Sequence, residues 1–264
     1  EHNTAISQQL LAFSFSMIPL DSISIIFLFA LFAVAFLYAS VGHGGASGYL
    51  ALMGLYHVAP ETMKPSALMM NIAVSIIAFS QYSRSNSLNK KLFLLLIVGS
   101  IPAAYLGAFV TLDATIYKRI LAVILLVPIV RLVGFSAKEQ PVLRRPNEVL
   151  AVFIGLAIGF LSGMIGIGGG ILLSPMLLLL GWTDIKQASL ISALFIFLNS
   201  ISGMGGILSK GITVSPTIYI WIAVAVAGGT LGAYFGSKKF NNATLRVMLG
   251  VVLLIASIKL FLSA

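Results

Sequence analysis

The strongest constraint on this chain is a succession of apolar stretches, each close to membrane-spanning length, that recurs from about residue 23 to residue 262 with hardly a charge inside. A helix rises about 1.5 Å per residue, so about 20 apolar residues cross the roughly 30 Å hydrocarbon layer of a bilayer. Eight segments approach or meet that length, at 23–40, 65–83, 92–112, 116–135, 148–165, 186–205, 217–236 and 243–262. Two shorter runs, 48–58 and 170–182, each follow a cluster of glycines. Backbone groups in hydrocarbon find no water to bond, so segments of this composition fold as helices. The chain reads as an all-α polytopic membrane protein.

Composition removes several other classes. Only 9% of the residues are charged and 59% are hydrophobic, against about 25% charged in a soluble domain, which excludes a soluble enzyme. Sixteen Lys and Arg oppose seven Asp and Glu, but the positive residues are scattered between apolar runs. A nucleic-acid binder collects them in a stripe, so no nucleic-acid partner is expected. There is no cysteine, which removes disulfides, thiolate nucleophiles and Cys-ligated zinc. No catalytic residues, metal ligands or cofactors are expected.

The chain also matches itself. Gly42-His-Gly-Gly45 falls on Gly166-Ile-Gly-Gly169, the stretch GSIPAAYLG at 99–107 on GGTLGAYFG at 228–236, and LAVILL at 121–126 on LGVVLL at 249–254. The offset stays between 124 and 129 residues, so the expected organisation is one transmembrane repeat at 22–135, a cytoplasmic linker at 136–147 and a second repeat at 148–264. Cytoplasmic loops hold an excess of Lys and Arg, and this bears on topology. If each short run completes a crossing, eleven of the sixteen positive residues share one face; if the short runs are re-entrant, the split is nine to seven. The sharper split favours two inverted repeats of about five elements each, including one short Gly-interrupted half-helix per repeat. The linker is then cytoplasmic and both termini lie on the other side.

The half-helices mark the expected site. Paired short or Gly-interrupted segments in the two halves of a transporter point to its binding site. A helix N-terminus exposes unpaired N–H donors and about half a unit of positive charge, which attracts anions. Gly42, His43, Gly44, Gly45 and Ser47 open the first half-helix, and Gly166, Gly168, Gly169, Gly170 and Ser174 open the second. Asn71, Gln81 and Asn199 are costly to bury and complete the expected wall, whereas serines along the same segments are read as helix-to-helix hydrogen bonds. Asp21, Glu61, Asp113, Glu139, Glu148 and Asp184 fall at segment ends or in the linker, so an intramembrane carboxylate relay is not expected. Coupling to H+ through His43, coupling to Na+ held by carbonyls and hydroxyls, and uniport stay open.

VGHGGASGYLA at 41–51, GIGGGILLSPML at 166–177 and the two stretches ending in AYxG resemble the sulfite exporter TauE/SafE family, also described as toluene-sulfonate uptake permeases. The first copy differs by having His43, Ala46 and Ser47 where glycine is frequent. The resemblance implies a multi-pass transporter of the bacterial inner membrane that moves sulfur-containing oxyanions or organosulfonates. Sulfite, sulfate, sulfonate and carboxylate stay open, as does direction. The expected function is secondary transport of a small anion held between the glycine clusters, with the lipid bilayer as surroundings and a homodimer as an open oligomeric state. A passive anion channel with the same filter is the alternative; a membrane enzyme lacks a catalytic constellation.

Overall fold

The computed structural model describes residues 22–56, 58, 60–110, 143–211 and 218–241, with scattered positions between 243 and 258. Among the described residues all regular structure is helical. The elements are α1 (Ser22–Ala39), α2 (Ala46–Leu55), α3 (Pro60–Ser83), α4 (Lys90–Ala108), α5 (Glu148–Ile165), α6 (Gly170–Leu179), α7 (Ile185–Leu208) and α8 (Ile218–Lys238). Of these, α3, α4, α5, α7 and α8 are long and apolar enough by length and composition to cross a membrane.

Two series of helices match in length. Spans of 18, 10, 24 and 19 residues in α1 to α4 are followed by 18, 10, 24 and 21 in α5 to α8. The expected span at 116–135 and most of the linker lie outside the described residues, as does most of the span at 243–262. One boundary moves: α3 begins at Pro60, where the missing N–H costs nothing, so Pro65 sits inside the helix instead of opening it.

Glycine sets how the long helices pair. Gly155, Gly159 and Gly163 of α5 lie against the backbone of Leu96, Ser100 and Ala104 of α4, so closely that any Cβ would collide. Gly228, Gly232 and Gly236 of α8 lie in the same way against Phe32, Phe36 and Ser40. Lipid is as apolar as leucine, so helices in a membrane associate through close packing of small residues rather than by hiding from water. In both pairs the numbers rise together, so α4 runs parallel to α5 and α8 runs parallel to α1.

Other contacts fix the remaining directions. Asn199 bonds Ser100 and Ser202 bonds the Ile101 carbonyl, which sets α7 parallel to α4. Leu68 faces Gly203 and Asn71 reaches Ser200, which sets α3 antiparallel to its counterpart α7. Lys186, at the start of α7, reaches the carbonyl of Ser237 at the end of α8, so those two oppose each other. Hence α1, α3 and α8 run one way and α4, α5 and α7 the other.

Because α1 and α3 run the same way, the chain between them must return across the whole thickness. It leaves α1 where the Tyr82 hydroxyl bonds the Ser40 carbonyl, and α2 ends where Tyr56 packs on Phe27 with ring centroids 5.1 Å apart. Loop 40–45 and α2 therefore complete one crossing together. Loop 166–169 and α6 complete the opposite one, from Lys64 beside Gly166 to Gly181, whose carbonyl accepts the Arg144 N–H at 2.8 Å. With these directions, eight of the ten described Lys and Arg lie on one face, and Lys64 and Lys210 lie on the other.

Candidate functional site

Helix starts fall into two kinds. Those at the basic face are capped by side chains: Asn89 accepts from the Leu92 N–H, Asn147 from Leu150 and Asp184 from Gln187. Such caps satisfy one of the orphan N–H donors of a first turn. The two short helices start at mid-thickness behind Gly45 and Gly169, with φ of 99° and 80° and no side-chain cap from either residue. L side chains rarely adopt that left-handed conformation, which explains a glycine at both positions, 124 residues apart.

Both half-helix starts converge on Asn71 of α3, which is fully buried. Its Oδ1 accepts the N–H of Ala46, the first residue of α2, at 3.0 Å. Its Nδ2 donates to the carbonyl of Ile167 in the second glycine loop at 3.1 Å, and lies 3.4 Å from the Ser200 hydroxyl. Gly44 and Gly168 press on Asn71 from the two loops, and Ile196 closes the same space. One amide therefore holds the N-terminus of one half-helix and the loop that feeds the other.

A second link joins the first glycine loop to α6. His43 Nε2 lies 2.9 Å from the Ser174 hydroxyl, which donates to Ser192 at 2.7 Å. With the Ser174 proton committed to Ser192, Nε2 is the donor, and Nδ1 is left as a buried acceptor with no partner among the described residues.

The expected site residues thus divide. Gly44, Asn71 and Gly168, with His43, Ser174 and Gly170, come together where the loops meet; Gly170 lies over Ile196 beside Ser192. Gly42 sits on the Ser189 backbone, Gly45 under the Tyr49 ring, and Ser47 donates to the Tyr38 hydroxyl at 2.9 Å. Gly166 packs on the Lys64 stem and Gly169 on Ile158, Phe195 and Ser162. Asn199 turns away toward α4, donating to Ser100 at 3.1 Å and to the Phe195 carbonyl at 2.8 Å. Gln81 lies ten residues along α3 from Asn71, about 15 Å away at a helical rise, so it does not share this junction.

Ser192, Ser200 and Lys64 also reach the junction. Nothing in a run of serines separates Ser192 and Ser200 from those that bond helix to helix. Lys64 carried a signal, as a lone cation just inside an apolar helix on the face poor in positive charge. Both loops are closed in this conformation: 40–47 and 165–175 are buried throughout, packed on each other and on α3 and α7 rather than toward lipid.

Residues 26–260 match the family model for the sulfite exporter TauE/SafE family. The chain is 32% identical over 236 residues to "Probable membrane transporter protein y4hK" of Sinorhizobium fredii, covering 88% of this chain and 95% of that one. It is 24% identical over 224 residues to "Probable membrane transporter protein YunE" of Bacillus subtilis, covering 77% and 81%. "Sulfite exporter TauE/SafE family protein 1" of Arabidopsis thaliana is 29% identical over 127 residues, 47% of this chain and 28% of that one. No solved structure matches. On the extent of the match and the helical membrane architecture, this chain is a multi-pass membrane protein that belongs to the sulfite exporter TauE/SafE family of transporters.

Proposed function

We propose that the protein is a secondary transporter of a small sulfur-containing oxyanion or organosulfonate in a bacterial inner membrane, binding it between the two glycine loops near mid-thickness. The observation that carries this reading is the convergence of two half-helix N-termini, neither capped by its own N-cap side chain, on Asn71. Backbone N–H groups and the positive ends of two helix dipoles offer an anion favourable charge without a Lys or Arg in the membrane centre. Irregular backbone at that depth is tolerated where it lines a cavity or is buried in protein.

The proposed architecture is a pair of inverted repeats at 22–135 and 148–264 around a cytoplasmic linker at 136–147. The antiparallel run of α3 against α7 and the matched helix lengths support it. The excess of Lys and Arg on one described face supports a cytoplasmic orientation for that face. Alternating access follows as motion of one group of helices against the other around the loops. The closed loops favour this over a passive channel, which needs a continuous wet path.

His43 supplies a coupling route. Nδ1 has no partner among the described residues, and a proton taken up there together with an anion makes it a donor to that anion; Na+ held by loop carbonyls and hydroxyls is the other route.

A thermal-shift screen with sulfite, sulfate, thiosulfate, sulfoacetate and taurine, with and without sodium, tests the reading. A sulfur oxyanion is expected to raise the melting temperature without a sodium requirement, and His43→Ala and Ser174→Ala to abolish the rise. A rise untouched by both substitutions places the site elsewhere.

A further inference from the structure

The helices that lead into the glycine loops, α1 and α5, end on equivalent carbonyls. Ser40 and Met164 lie 124 positions apart, as do Gly42 and Gly166. Both carbonyls are taken by α3, from its two ends: the Tyr82 hydroxyl donates to Ser40 at the basic face, and the Lys64 ammonium donates to Met164 at 3.1 Å on the other. The counterpart helix α7 offers no equivalent, since Ser189, which stands opposite Gly42 as Lys64 stands opposite Gly166, turns back onto the Ile185 carbonyl. The two loop-leading carbonyls therefore differ in partner: a neutral phenol holds Ser40, with Lys186 bonded to Ser237 instead, and a cation holds Met164 directly.

Lys64 is placed to reach the loop. Its stem covers Gly166, where an added Cβ would come within 2.7 Å of Lys64 Cγ. Gly168, which meets Asn71, is two residues further on, and an extended chain spans about 7 Å over that distance. The partner the ammonium holds is a neutral carbonyl, whereas an oxyanion adds the Coulomb attraction of a full opposite charge to the same hydrogen bond. An oxyanion arriving beside Gly166 therefore outcompetes Met164.

We propose that Lys64 is the charge partner that a substrate anion meets at the end of the pathway away from the basic face: the ammonium leaves the Met164 carbonyl for the oxyanion and so selects charged over neutral solutes. This deepens the anion-transport reading and rests on it. A lysine that merely capped the last carbonyls of α5 would affect stability and leave apparent affinity alone.

The chain contains no cysteine, so Lys64→Cys creates a single thiol. Uptake of labelled sulfite and sulfoacetate is measured in proteoliposomes, wild type first; absence of wild-type uptake overturns the transport reading itself, and this proposal with it. With wild-type uptake present, Lys64→Cys is expected to raise KM at least tenfold and change Vmax less than twofold. Aminoethyl methanethiosulfonate, which restores a positive charge, returns KM to within twofold of wild type, and the uncharged methyl reagent does not. Lys239→Cys, at an exposed lysine on the basic face, leaves KM unchanged. An unaltered KM in Lys64→Cys, or equal rescue by both reagents, overturns the proposal. Should Lys64→Cys not accumulate in the membrane, Lys64→Arg and Lys64→Met carry the same comparison: KM raised by Met alone supports it, and wild-type KM in Met sinks it.

Discussion

Replacing Asn71 with leucine tests the junction most directly, because leucine keeps the bulk and removes both hydrogen-bonding ends. The substitution strands the Ala46 N–H and the Ile167 carbonyl, which Asn71 engages at 3.0 and 3.1 Å in a fully buried setting. Each buried polar group left unpaired costs about 1–3 kcal/mol, so the loss is about 2–6 kcal/mol. Side-chain hydrogen bonds between membrane helices average only about 0.6 kcal/mol, because the unfolded chain in the membrane finds other partners. The lower end, about 2 kcal/mol, is therefore the figure to hold the structure to. Asn199→Leu is the internal control. Asn199 bonds Ser100 and a carbonyl of its own helix, and its Oδ1 has no partner, so its removal strands no backbone group and costs about 1 kcal/mol or less. Reversible unfolding in mixed dodecyl maltoside and SDS micelles measures both. Equal losses for the two asparagines, or a loss below about 1 kcal/mol for Asn71→Leu, refute the account of Asn71 as the bridge between half-helices.

Two further expectations concern packing and charge. Gly159→Leu puts a Cβ within 2.5 Å of the Ser100 Cα, so α4 and α5 must part; the loss should exceed about 3 kcal/mol in the same unfolding assay. Gly211→Ala meets nothing within 4 Å but retains a φ of +74°, which limits its cost to about 1–2 kcal/mol; a larger effect than that of Gly159→Leu refutes the packing argument. The Lys91–Glu148 ion pair is solvent-exposed, so Glu148→Gln should change stability by less than about 1 kcal/mol at low salt, with no difference left in 0.5 M NaCl.

Hydropathy alone located the long helices among the described residues, because each must satisfy its own backbone in lipid, and α3 starts ahead of its apolar run because Pro60 to Lys64 are too polar to read as part of a span. The glycine clusters announced the half-helices, since a left-handed turn before a truncated helix admits little else. Gln81 and Asn199 shared the polarity that singled out Asn71, yet polarity does not say which face of a helix a residue occupies relative to partners a hundred positions away. Gln81 stands ten residues along α3 from Asn71, and Asn199 turns toward α4.

Composition and the spacing of apolar runs determined by themselves that this chain crosses a membrane as helices, and the doubled glycine signature set the expectation of two related halves. Those features are local, set by the absence of water and by what each stretch of backbone can adopt alone. Only the folded molecule decided which way each helix runs around the short ones, that Asn71 rather than Asn199 meets both glycine loops, and that a lysine bonds the carbonyl at one end and a tyrosine the carbonyl at the other. Those choices depend on contacts between segments far apart in the chain, where a shift of one residue turns a side chain by about 100° around its helix and gives it a different neighbour.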